Sequence, residues 1–115
     1  MTTTALIKTP YTLIPPKGDQ VEGVVEWPAK PGLKKIQELV EPYVGDYMEH
    51  VYVLHDGKQT DMFVNENGHM RKLPYNPRAS AIYHAATIKR FPGVDPRTLP
   101  IIVGPAVLFH RPVWS

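Results

Sequence analysis

The stretch Asp46-Tyr-Met-Glu-His-Val-Tyr-Val-Leu54, with His55-Asp-Gly-Lys58 and Gln59-Thr-Asp-Met-Phe-Val64 behind it, decides the fold. Its aromatic and β-branched residues suit a pleated strand, and Asp56-Gly57 accepts the positive φ of a two-residue turn. The three pieces read as an antiparallel hairpin. Asn65-Glu-Asn-Gly68 repeats the turn chemistry and leads into a short segment, His69 to Leu73.

Toward the N-terminus, Tyr11-Thr-Leu-Ile14 and Val21-Glu-Gly-Val-Val-Glu-Trp27 read as two short strands joined by the turn Pro15-Pro-Lys-Gly-Asp19. Leu33, Ile36, Leu39 and Val40 then fall on one helical face, with Lys34, Lys35, Glu38 and Glu41 opposite. This helix should stop near Pro42, whose ring crowds the preceding turn. Toward the C-terminus, Asn76-Pro77 is a helix start, an amide cap followed by a residue that has no N–H to satisfy. The second helix should run from Pro77 to about Arg90 and bury Ala81, Ile82, Ala85 and Ile88. Ile101-Ile-Val-Gly-Pro-Ala-Val-Leu-Phe109 is almost continuously apolar, as in a strand buried on both faces, while Pro105 asks for an edge or a bulge. The expected class is α+β: a mostly antiparallel sheet of short strands with two helices packed on one face.

The whole chain, 115 residues, is enough for a single domain, with a proline-rich N-terminal arm (about 1–10) and a C-terminal tail (about 110–115). Thirteen prolines exclude a long helical bundle, and no cysteine means no disulfide framework, thiolate zinc site or cysteine nucleophile. Residues 1–14 carry no apolar leader segment and nothing approaches a membrane span, so the expectation is a cytoplasmic protein.

The net charge of +2 conceals a division. Residues 1–66 hold six lysines against ten acids, a balance of −4, whereas residues 67–115 hold seven basic residues against Asp95 alone, a balance of +6. All five arginines lie in the second part. Three readings follow: the parts neutralise one another within the domain, the basic part binds an anionic ligand, or subunits meet head to tail.

Few residues are arranged for chemistry. There is no glycine-rich phosphate loop, dinucleotide fingerprint or metalloprotease motif. Asp56 to Gly68 fails as a calcium loop because Lys58 takes the third position, where an oxygen ligand is needed. The histidines His50, His55, His69, His84 and His110 lack metal-ligand spacing. Ser80 and His84 are four apart on one helix, the spacing a serine nucleophile and its base would need, and they supply the hydrolase alternative. Tyr75, Tyr83 and Phe91 interleave with basic residues and could stack bases, but the acidic part would repel a long phosphate backbone, so nucleic acid is not favoured. A small anion needs less. Arg71 and Arg78 flank the start of the second helix beside Asn76, and Arg90 sits near its end; these four residues form the candidate anion site.

Asn65-Glu-Asn-Gly-His-Met-Arg-Lys-Leu-Pro-Tyr-Asn-Pro-Arg-Ala-Ser-Ala-Ile-Tyr83 resembles a family of small proteins of bacteriophages and plasmids, catalogued as the domain of unknown function numbered thirty-eight forty-six. Its ordered elements have counterparts in Leu33 to Val40, Gly45-Asp-Tyr-Met-Glu49, Leu73-Pro-Tyr-Asn76, Arg78-Ala79 and Ile102-Val-Gly-Pro105. The chain departs from the pattern at Asn65, where aspartate is usual, and after Phe109. The resemblance implies a mobile-element accessory protein with an α+β fold and carries over no reaction. The resulting expectation is a non-enzymatic binding protein without a cofactor, acting on a host protein or sequestering a small nucleotide-like anion, and the apolar last strand with the aromatic end Val113-Trp114 adds the expectation of a homo-oligomer.

Overall fold

The computed structural model describes residues 5–114. Five strands, β1 (Ile7–Ile14), β2 (Val21–Trp27), β3 (Met48–His55), β4 (Lys58–Asn65) and β5 (Ala106–Phe109), and two helices, α1 (Leu33–Val44) and α2 (Pro77–Arg90), make up the α+β architecture expected. The sheet is antiparallel throughout, in the order β2-β1-β5-β4-β3. Asp56 and Gly57 both take positive φ, 51° and 77°, so the β3–β4 hairpin closes as the sequence predicts.

The helices do not share a face. Alternate residues of one strand point to opposite sides, and β4 and β5 divide accordingly. Met62, Val64, Ala106 and Leu108 pack with Ala79 of α2, whereas Phe63, Val107 and Phe109 pack with Ile36, Val40 and Val44 of α1. The result is a helix–sheet–helix sandwich, which corrects the expected placement on one face. The cause lies in β5, where every residue is buried: a strand apolar on both sides needs cover on both.

Pro105 does not force this strand to an edge. It stands immediately before β5, so no ladder donor is lost inside the strand, and β5 takes the centre of the sheet. The apolar run beginning at Ile101 contributes only an isolated bridge, Tyr75 to Val103, before it. His69 to Leu73 is likewise a series of turns. α1 runs past Pro42 to Val44, because a proline near the last turn removes one donor without preventing the next residues from staying helical; Gly45, at φ 89°, then ends it. The buried side of α2 is rotated from expectation. Ala79 and Ser80 are buried and Ile82, Tyr83 and Ala86 pack against the core, while Ala81 and Ala85 are exposed: the ring of Tyr83 buries more surface than either alanine can.

Described residues of both the expected arm and the expected tail belong to the fold. Residues 7–10 of the expected arm form the start of β1, and residues 1–4 lie outside the described residues, as does Ser115. In the tail, Val113 is buried against the α1 side of the sheet. No helix among the described residues is long and apolar enough to cross a membrane.

Candidate binding site

The four residues of the candidate anion site do not converge. Asn76 is fully buried and caps α2, its Oδ1 accepting the Ala79 N–H at 3.1 Å. Its Nδ2 donates to the carbonyls of Ile14 and Gly104, both at 2.9 Å, so the amide ties three segments together and has nothing left for a ligand. Arg78 donates from Nη2 to the carbonyl of Pro15 at 2.6 Å. Arg71 reaches the turn after α1, donating to the Gly45 carbonyl at 3.1 Å and to Asp46 Oδ2 at 3.2 Å. There it joins hydrogen bonds from Tyr47 and Asn67 in holding the Asp46 carboxyl below its usual pKa. Arg90 is twelve residues along α2 from Arg78, roughly 18 Å away.

The remaining arginines are also engaged. Arg97 pairs with Asp95 at 3.1 Å. Arg111 donates to Thr9 Oγ1 and to the carbonyls of Pro28 and Ala29 at 2.9–3.0 Å, clamping the loop that leads to α1. Ser80 and His84 are not joined to each other: the Ser80 hydroxyl accepts from the Ile102 N–H at 2.8 Å, and His84 Nε2 lies 2.7 Å from the Pro100 carbonyl. Both fasten the loop before β5 to α2, and the serine is 1% exposed, which a nucleophile awaiting substrate could not be. The residues that pointed to an oligomer are likewise used inside the chain, β5 as the central strand and Trp114 stacked on His50.

Two histidine clusters went unnoticed in the sequence. At one, His50 Nε2 lies 2.6 Å from Oδ1 of buried Asp61. Burial would raise the Asp61 carboxyl, but the hydrogen bonds from His50 and from the N–H groups of Trp114 and Val113 outweigh it and hold the pKa low. At the other, on the opposite face, the rings of His55 and His110 stack with centroids 4.2 Å apart. Thr12 Oγ1 lies between His110 Nε2 at 2.7 Å and Glu22 Oε2 at 2.8 Å, a distance pattern in which the imidazole donates to the hydroxyl and the hydroxyl to the carboxylate. Burial and the neighbouring His55 lower the His110 pKa against the pull of Glu22 and Asp56. Among the described residues no three His, Asp or Glu side chains are grouped to hold a metal.

What is left open to a partner is a groove of about 890 Å³ between β3 and the second half of α2. His50 to Leu54 and Gln59 form one wall; Tyr83, Ala86, Thr87, Lys89, Arg90 and Phe91 form the other. Lys89 and Arg90 are exposed and enter no ion pair with a described acid, and the Arg90 guanidinium lies over the Phe91 ring at 5.3 Å. β3 is an edge strand. Because the Glu66 N–H donates to the Tyr47 carbonyl, Tyr47 and every second residue after it turn their main-chain groups toward β4. Met48, His50, Tyr52 and Leu54 turn theirs away. The Met48 N–H is capped by the Glu41 carboxylate at 3.1 Å, which leaves His50, Tyr52 and Leu54 facing the groove with no strand beyond them. Of the predicted site residues only Arg90 belongs here. Edge position was the missing signal, and it depends on strand order rather than on local composition.

No protein-family profile, curated protein or solved structure matches the chain.

Proposed function

We propose that this chain is a non-enzymatic binding protein that captures an anionic partner in the groove between β3 and α2. The observation carrying this reading is the pair Lys89 and Arg90, exposed cations that enter no ion pair with a described acid, set on a concave wall among Tyr83 and Phe91. Elsewhere a cation of the basic part meets an acid of the acidic part inside the domain, as Arg71 does with Asp46. The likeness of the Asn65–Tyr83 stretch to phage and plasmid proteins supports a partner in an infected host, with the protein as a mobile-element accessory acting in the host cytoplasm.

The test is an anisotropy titration with two labelled probes, an Asp/Glu-rich peptide and an adenosine diphosphate. Binding of either probe, weakened by salt and lost in the double variant Lys89→Glu/Arg90→Glu, is the expected result. Failure of the unaltered protein to bind both probes, or equal binding by the double variant, overturns the reading.

A further inference from the structure

We infer that the partner is an acidic segment of another protein that binds in extended form, adding a sixth strand to the sheet along β3. This inference rests on the groove reading above and narrows it to one class of ligand. Three observations converge on it. The first is the unfilled hydrogen-bonding edge: His50, Tyr52 and Leu54 present main-chain donors and acceptors at the alternate spacing that an added strand pairs with, and no described residue covers them. Sheet edges left in this condition are ordinarily blocked by charge, a bulge or a covering segment, and here only the first position is blocked, by Glu41 at Met48.

The second observation is the shape of the site. The wall formed by β3 includes five consecutive residues, His50 to Leu54, so it is lined by main chain as well as by side chains. A strand lying there would rest one row of side chains on Tyr83 and Ala86 of α2 and on Phe91 just after it. The third is charge. Lys89 and Arg90 line the groove, whereas exposed Glu49 lies outside it, in a neighbouring hollow with Glu66 and His69. His50 belongs to the groove wall with its ring held by Asp61 and Trp114. The carboxylates of the added strand therefore belong beside Lys89 and Arg90, and acidic residues beside Glu49 would be repelled. A small nucleotide could use the two cations but not the length of the edge.

The test leaves the protein unaltered and changes the peptide. Two versions of a bound Asp/Glu-rich peptide are N-methylated at alternate residues, so that one set of methyl groups faces β3 and the other faces solvent. The expected result is that one version loses affinity by about tenfold or more while the other binds like the parent. Amide exchange at His50, Tyr52 and Leu54 should slow by about tenfold in the complex, with Val51 and Val53, already paired to β4, little changed. Equal affinity of both methylated peptides, or unaltered exchange at those three amides, overturns strand addition while leaving capture at the groove intact. Binding of the diphosphate in place of the peptide also overturns it. Loss of all binding overturns the groove reading itself.

Discussion

His50 and Asp61 meet across the β3–β4 hairpin with Nε2 2.6 Å from Oδ1, and the second carboxylate oxygen of Asp61 accepts the N–H groups of Val113 and Trp114 at 2.7 and 2.8 Å. One buried carboxylate thus satisfies three donors and holds the C-terminal segment on the sheet. Asp61→Asn should lower stability by about 2–3 kcal/mol, since hydrogen bonds to a charged acceptor are the strong ones. Urea denaturation measures the loss, and the Trp114 emission should shift to the red as its ring leaves His50. The same bonds make this segment acid-sensitive. With its pKa depressed in the folded state, Asp61 contributes stability above the ordinary carboxylate value of about 3.9, and that contribution disappears as pH falls through the lower folded value. The Trp114 signal should therefore change below about pH 4, and the change should be absent in Asp61→Asn.

His110 acts in the same direction at milder pH. Burial and the adjoining His55 ring favour its neutral form, so the unfolded chain binds its proton more readily than the folded one. Stability contributed by this group is complete above the ordinary imidazole value of about 6.5 and declines as pH falls through that value. Histidine-resolved NMR titration should place the His110 midpoint below that of a model peptide. His110→Gln should flatten the decline in thermal midpoint on mild acidification.

Asn76 permits a sharper mutational contrast. Asn76→Ala removes the α2 cap, worth about 1 kcal/mol, and leaves the carbonyls of Ile14 and Gly104 without their donor, for a total near 3 kcal/mol. Asn76→Asp keeps the cap acceptor but sets an oxygen against both carbonyls. It should be at least as damaging as alanine, although aspartate is a good cap at exposed sites. Denaturant midpoints of the two variants decide the matter.

Gly104 takes φ 80°, and a Cβ built there would lie 2.7 Å from Leu73 Cδ1. Gly104→Ala combines backbone strain with this overlap and should cost about 1–3 kcal/mol by calorimetric melting. If Leu73→Ala recovers part of the loss, the steric share is separated from the backbone share.

Local signals in the sequence were sufficient for the hairpin and for the start of the second helix. Asp56-Gly57 supplied the turn and Asn76-Pro77 the cap, and each acts over a few residues. The long-range features were not legible. Nothing near Asp61 indicates that its partners are Val113 and Trp114, more than fifty residues away, or that Asn76 reaches Ile14 across sixty-two. The double-sided apolar character of Val107 and Phe109 against Ala106 and Leu108 did imply cover on both faces, and a one-sided helical layer was inconsistent with it. For the site, residue type misled. The arginines suited to anions became braces for carbonyls, because a loop-rich chain with thirteen prolines leaves many carbonyl oxygens needing donors.

The position of β5 bears on how the chain acquires its structure. The hairpins β1–β2 and β3–β4 touch each other in the sheet only through this strand, and it is the last of the five in sequence. Tyr11 must wait for Phe109, so the two hairpins cannot join into one sheet until residues 106–109 have been synthesised. Until then β1 and β4 each present an open strand edge that β5 will eventually fill. The sheet is thus closed by a strand of only four residues, whose pairing with β1 on one side and β4 on the other turns two separate hairpins into one sheet.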